Sequence, residues 1–160
     1  NRLRTRNYAI LNDVLRGVKG IQTVDPIPGA ERAGYLEFKF LVQPELLGGT
    51  RDEFAQACQA ENAPVNVDRY SDLNFTYGLL HLAPLYNGFD RGDMGGCFHD
   101  PERPELRNGL GYKQGDLPVT EDICSRMIGT PAFADVPEDT VERVGLAMRK
   151  VAHHMNQGKK

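Results

Sequence analysis

Residues 34–43 read as the clearest strand of the chain, because apolar residues occupy every second position from Leu36 onward. Leu36, Phe38, Phe40 and Val42 alternate with Glu37, Lys39, Leu41 and Gln43. Side chains on an extended strand point alternately to opposite faces, so this pattern gives one strongly apolar face and one mixed face. A strand of this kind needs an apolar layer on one side only. It therefore suits an antiparallel sheet covered by helices on one face.

The flanking segments supply the helices. Tyr8, Leu11, Leu15 and Val18 recur at helical steps, with Ile10 and Val14 beside them, which predicts an amphipathic helix over 3–19 and a stop at Gly20. Ile21 to Val24 reads as a short strand, ended by Asp25-Pro26 and Pro28-Gly29. Pro44 and Gly48-Gly49 break the main strand. Thr50-Arg51-Asp52-Glu53 is a capping box, opening a helix to about Asn62 with Phe54, Ala57 and Cys58 inward. Pro64 to Val67 reads as another short strand. Near the end, a helix over 121–128 is predicted to stop at Gly129, followed by an extended piece from Thr130 to Ala134. Pro137-Glu138-Asp139 opens a last helix, with acids near the positive end of its dipole and Val141, Val144, Met148 and Val151 on its apolar face. The expected fold is a two-layer α+β domain with a small, mainly antiparallel sheet.

The 160 residues are read as a single domain with a long irregular segment at about 68–117. That segment holds eight glycines and three prolines without strong periodicity, and segments like it in compact domains are usually functional. The chain opens on Asn1 rather than methionine, so it reads as processed, trimmed or a piece of something longer. Net charge is −3, which gives no drive toward nucleic acid. Arg2, Arg4 and Arg6 read as an exposed helix face. No apolar run approaches the ~18 residues of a membrane span, and no secretory signal pattern is visible. The three cysteines, Cys58, Cys97 and Cys124, are odd in number and not closely spaced. They point to a reducing compartment and a cytoplasmic location.

Few residues carry a chemical signal. His81 lies in the apolar run Tyr77-Gly78-Leu79-Leu80-His81-Leu82-Ala83-Pro84-Leu85-Tyr86. It reads either as a hydrogen-bonded core histidine or, beside a glycine-rich loop, as an active-site edge. Lys113 in Gly111-Tyr112-Lys113-Gln114-Gly115 has no apolar flank to make it a Schiff-base nucleophile, and reads as a solvated loop charge. Cys97-Phe98-His99 gives two possible ligands without a second pair, and adjacent His153-His154 do not face the same way on a helix, so no metal site is expected. Gly92-Asp93-Met94-Gly95-Gly96 lacks the ending of a phosphate loop, and Gly-x-Ser-x-Gly is absent. Asp68, Asp72, Asp90, Asp93, Asp100 and Asp116 are read as turn residues.

Three regions resemble the C-terminal part of the DegT/StrS-type sugar aminotransferases. The first is Arg6-Asn7-Tyr8-Ala9-Ile10-Leu11-Asn12-Asp13-Val14-Leu15 with Gly20-Ile21 and Pro26-Ile27-Pro28. The second runs from the capped helix through Ala63-Pro64-Val65 to Leu80-His81-Leu82-Ala83-Pro84-Leu85-Tyr86. The third runs from Leu117-Pro118-Val119-Thr120-Glu121 through Pro131 to Val151. The resemblance implies the small domain of a fold type I enzyme that uses pyridoxal phosphate to aminate a keto-sugar or keto-cyclitol, as a homodimer. It implies that His81 and Tyr86 face substrate. It also implies that the cofactor lysine and phosphate-binding residues belong to a large domain that should precede this region, so that this chain alone carries no cofactor site and no catalytic residue. Partners are then a missing large domain or a second copy. Leu80 stands where relatives often have proline before the histidine. The contrasting expectation is a stand-alone α+β binding or interaction module without enzyme activity.

Overall fold

The computed structural model describes residues 1–25, 28–29, 36–67, 79–82 and 112–158. They fall into two compact units, one formed by Asn1–Val67 with Arg126–Lys160 and the other by Asp68–Ser125.

The first unit is built on the alternating strand. Strand β1 (Ile21–Thr23) and strand β3 (Met127–Thr130) flank β2 (Phe38–Val42), and both pairings are antiparallel. Register places Ile21 opposite Val42, Phe40 opposite both Thr23 and Ile128, and Phe38 opposite Thr130. Phe38, Phe40 and Val42 are buried and Lys39 and Leu41 only partly so, as the alternation requires. The expected α+β layering with a small antiparallel sheet is therefore what the chain forms.

Helix α1 (Arg2–Leu15), helix α3 (Arg51–Ala60) and helix α5 (Glu138–Gln157) bury their apolar stripes in the core that contains that face. Helix α1 packs chiefly on α5, and α3 touches both α5 and β3. Rings link the layers in sequence: Tyr8 to Phe38 at 5.5 Å, Phe38 to Phe40 at 6.0 Å, and Phe40 edge-on to Phe54 at 6.3 Å. Burying each such side chain contributes about 1.5–3 kcal/mol, with pairing adding about 0.5–1.5 kcal/mol. The capping box forms: the Glu53 amide donates to Thr50 Oγ1, and Thr50 N donates to Glu53 Oε2 at 2.7 Å. Cys58 is fully buried, and burial, with Glu61 nearby, pushes its thiol up to about 12. It is a packing residue. Cys124 is half-buried, and Cys97 lies outside the described residues.

Polar contacts fix α1 to the entrance of α5. Asn7 is fully buried, and its Nδ2 donates to the carbonyls of Phe133 (2.6 Å) and Val136 (3.3 Å). Arg6 Nε donates to Asn7 Oδ1, and its Nη1 pairs with Glu138 at 2.9 Å. Arg6 is thus half-buried in a network rather than part of a freely solvated face. An unmet buried amide costs about 1–3 kcal/mol, so this network dictates where the loop before α5 lies.

Five expectations need correction. Helix α1 ends at Leu15, not 19. Gly17 and Gly20 take φ of 73° and 84°, left-handed values that end a helix, while Val18 still packs on the core from the turn. Leu36 stands 67% exposed, outside β2. Residues 44–47 form a short helix, α2 (Pro44–Leu47), that buries Leu47. Pro44 lies in its first turn, where a missing N–H costs nothing. Helix α4 (Pro118–Arg126) stops earlier than expected, and Met127–Thr130 is β3 with Gly129 inside it. The spacing of Ile123, Met127 and Ile128 fits a helix locally, but Ile128 is claimed by pairing with Phe40. Finally, the piece at 64–67 contributes only a bridge: Asn66 exchanges both backbone hydrogen bonds with Gly129, at 2.8 and 2.9 Å.

Gly20 sits where the turn meets α2. Its carbonyl accepts from Gln43 N, and a Cβ there would lie 2.7 Å from Leu47 Cα. Gly20→Ala therefore combines a left-handed backbone cost with overpacking against main chain, about 2–5 kcal/mol together. Gly17→Ala meets no atom within 4 Å, so only the backbone cost of about 1–2 kcal/mol applies. Urea denaturation should rank the midpoints wild type, then Gly17→Ala, then Gly20→Ala; the reverse order of the two variants contradicts this packing.

Candidate functional site

In the second unit, His81 sits in a single 3-10 turn, Leu80–Leu82, closed by Leu82 N donating to the Leu79 carbonyl at 2.8 Å. Alternation within the turn leaves Leu80 65% exposed and buries His81 to 6%. The imidazole has a specific polar partner. Its Nε2 lies 2.9 Å from Glu121 Oε1, and both side chains are largely shielded from water. Tyr112 presents an edge-to-face ring, with centroids 6.3 Å apart at 89°.

Glu121 lies in the first turn of α4, where a carboxylate is favoured by the helix dipole. It reaches back over the preceding loop: Gly115 N donates to Oε1 at 2.9 Å and to Oε2 at 3.0 Å. Gly115 can turn its amide this way because its φ is 95°, a value that side-chain-bearing residues rarely adopt. The loop is held by a second contact pair, with Lys113 N donating to Asp116 Oδ2 (2.9 Å) and Asp116 N to the Lys113 carbonyl (3.1 Å). Asp116 is a turn residue, as expected. The Lys113 side chain is exposed. The exposed apolar residues Leu80, Leu117 and Val119 stand close in sequence to the pair.

The hydrogen bond from His81, followed by that from Gly115, holds the Glu121 carboxyl below the usual glutamate range. Both donors favour the charged form. An ionised Glu121 accepts only, so His81 Nε2 donates, and the arrangement ties two chain segments and one helix together through a single carboxylate.

His81 is therefore brought to a polar cluster, but Tyr86 lies outside the described residues, as do Asp68, Asp72, Asp90, Asp93, Asp100 and the Cys97-Phe98-His99 triplet. Among the described residues no group of three potential ligands could hold a metal ion. Glu121 and Gly115 were missed as site residues. Forty positions separate His81 from Glu121, and a glutamate three residues after a proline reads first as a helix opening. In the first unit, a cavity of about 470 Å³ lies between the C-terminal parts of α3 and α5. It is lined by Ala57, Val151 and Met155 among others. Lys150 is bonded there to Glu61 at 2.8 and 2.9 Å, and His153 to Gln157 at 2.8 Å, and His154 also lines the cavity.

No family model and no curated protein matches the chain. Its fold is shared by solved structures, among them these two. The crystal structure of DesI, determined in the presence of its TDP-sugar product, matches 99% of this chain with 18% identity and a TM-score of 0.61. A DegT/DnrJ/EryC1/StrS aminotransferase from Brucella abortus matches 93% with 19% identity and a TM-score of 0.58. The chain spans about a third of each, 32% and 30%. The expected resemblance thus holds as a fold: the chain is shaped like one part of a DegT-type sugar aminotransferase.

The carboxylate anchor sets a pH dependence. A group whose pKa is lowered in the folded state adds stability above its unfolded value, and that stability is lost as pH falls through the lowered value. The Gly115 amide proton should therefore hold a hydrogen-bonded chemical shift at neutral pH and move upfield in acid, with a midpoint below the ordinary glutamate range. Glu121→Gln should remove that transition. A midpoint at or above the ordinary range contradicts the anchor.

Proposed function

We propose that this chain is the C-terminal domain of a pyridoxal-phosphate-dependent sugar or cyclitol aminotransferase. In that role it caps the active site, contributes to the dimer interface and does not catalyse alone. The observation that carries the reading is the fold: nearly the whole chain matches about a third of two aminotransferase chains. The sugar-linked product of DesI supports a keto-sugar or keto-cyclitol as substrate here. His81 faces that substrate in this reading, and Tyr86 takes the same role. His81's setting supports this, since a shielded imidazole with a fixed partner can present its other nitrogen to a ligand in a defined direction. The exposed Leu80, Leu117 and Val119 support a covering partner, either the large domain or a second copy. A cytoplasmic location belongs to the same reading; among the described residues no helix is long and apolar enough to cross a membrane.

The described residues do not fit the cofactor. Pyridoxal phosphate needs a lysine amine that is desolvated, a carboxylate opposite the ring nitrogen and donors around the phosphate. Lys19 and Lys113 are exposed, Lys150 is bonded to Glu61 at the surface, and Lys39 lies on the central strand β2. None stands in such a set. Titration of the full chain with pyridoxal phosphate should therefore give no internal aldimine band near about 420 nm. A band that disappears in Lys113→Ala overturns the claim that the chain is inactive alone.

A stand-alone module is separated from this reading by association. If the apolar surface belongs to an interface, sedimentation should show self-association that grows with concentration, or tight binding to a separately produced cofactor domain. A chain that stays monomeric at high concentration and binds no such domain contradicts the interface role.

A further inference from the structure

We propose that Glu121 is the positioning residue of the His81 site, holding the imidazole as its Nε2–H tautomer so that Nδ1 is presented as a hydrogen-bond acceptor. The proposal rests on the reading of His81 as substrate-facing and deepens it. A neutral imidazole has one donor and one acceptor nitrogen. The nitrogen facing an ionised carboxylate at 2.9 Å must be the donor. That leaves the Nδ1 lone pair, which has no hydrogen bond among the described residues. The group that such a nitrogen takes is itself a donor, such as a ring hydroxyl of a sugar. A phosphate or carboxylate oxygen would meet lone pair against lone pair.

The carboxylate is held on both sides, which makes the orientation definite. His81 bonds Oε1, while Gly115 N reaches both Oε1 and Oε2. Tyr112 blocks one direction of ring tilt with its edge-to-face contact. Glutamine is nearly the same shape but cannot replace this carboxylate. With its oxygen toward His81, its NH2 stands where Oε2 accepts from Gly115, donor against donor. Glu121→Gln should therefore keep the histidine bond and weaken the loop bond, leaving Gly115 N only the Oε1 side with an NH2 beside it, while Glu121→Ala loses both.

The test is nitrogen-15 NMR of the imidazole in the full chain, with His81 assigned by comparison with His81→Gln. In the wild type, Nε2 should carry the proton and Nδ1 none at a pH where the ring is neutral. The Nε2 proton should exchange with water at least about tenfold faster in Glu121→Ala. In Glu121→Gln it should stay protected while the Gly115 amide resonance moves. Unchanged amide resonances of α4 beyond its first turn show that the fold around the site is retained in each variant. A wild-type proton on Nδ1, or Nε2 exchange unaffected in Glu121→Ala, overturns the proposal. Neither readout involves a cofactor or a second domain, so failure of the aminotransferase reading leaves the tautomer result standing, and the reverse also holds.

Discussion

Burial of one face of β2 organises the first unit. Phe38, Phe40 and Val42 cannot be covered by a three-stranded sheet itself, so helices must lie across them. Phe40 sits at the centre: it is fully buried, paired with Thr23 and Ile128 in the sheet and stacked edge-on against Phe54 of α3. Moving β2 by one residue would send Lys39 and Leu41 into the core, and every helix contact would fail with it. The register of β1 and β3 and the seats of α1, α3 and α5 all follow from that row of side chains.

The second unit uses a different principle. Its described part is held by hydrogen bonds to charge rather than by a broad apolar layer. Glu121 collects the His81 ring and the Gly115 amide, and its lowered pKa is the electrostatic record of those contacts. Such an anchor is directional: it fixes orientation as well as proximity. The exposed apolar side chains of Leu80, Leu117 and Val119 lie near it in the chain.

Local signals were legible where a local rule is sufficient. The alternation over 38–42, the capping box at Thr50 and Glu53, and the stripes of α1 and α5 each depend on neighbours a few residues away. They failed where a distant partner decides. Met127 and Ile128 continue the helical spacing of α4, yet pairing with β2 draws them into a strand. Residues 44–47 look like a break because a proline follows a strand, but Leu47 has a buried seat beside Gly20, and that contact closes a helical turn. His81 was found by its composition. Its partner was not, because a helix-opening glutamate looks the same whether or not a ring waits forty residues earlier.

The sequence by itself determined the class of fold, which follows from periodicity and caps, and its short motifs in their order carried the resemblance to a sugar-aminotransferase segment. Tertiary structure alone decided the third strand and the chemistry around His81. A strand forms when its backbone groups find a ladder, and a carboxylate becomes an anchor when donors from separate segments converge on it. Both conditions concern distances between residues far apart in the chain, which no local pattern encodes.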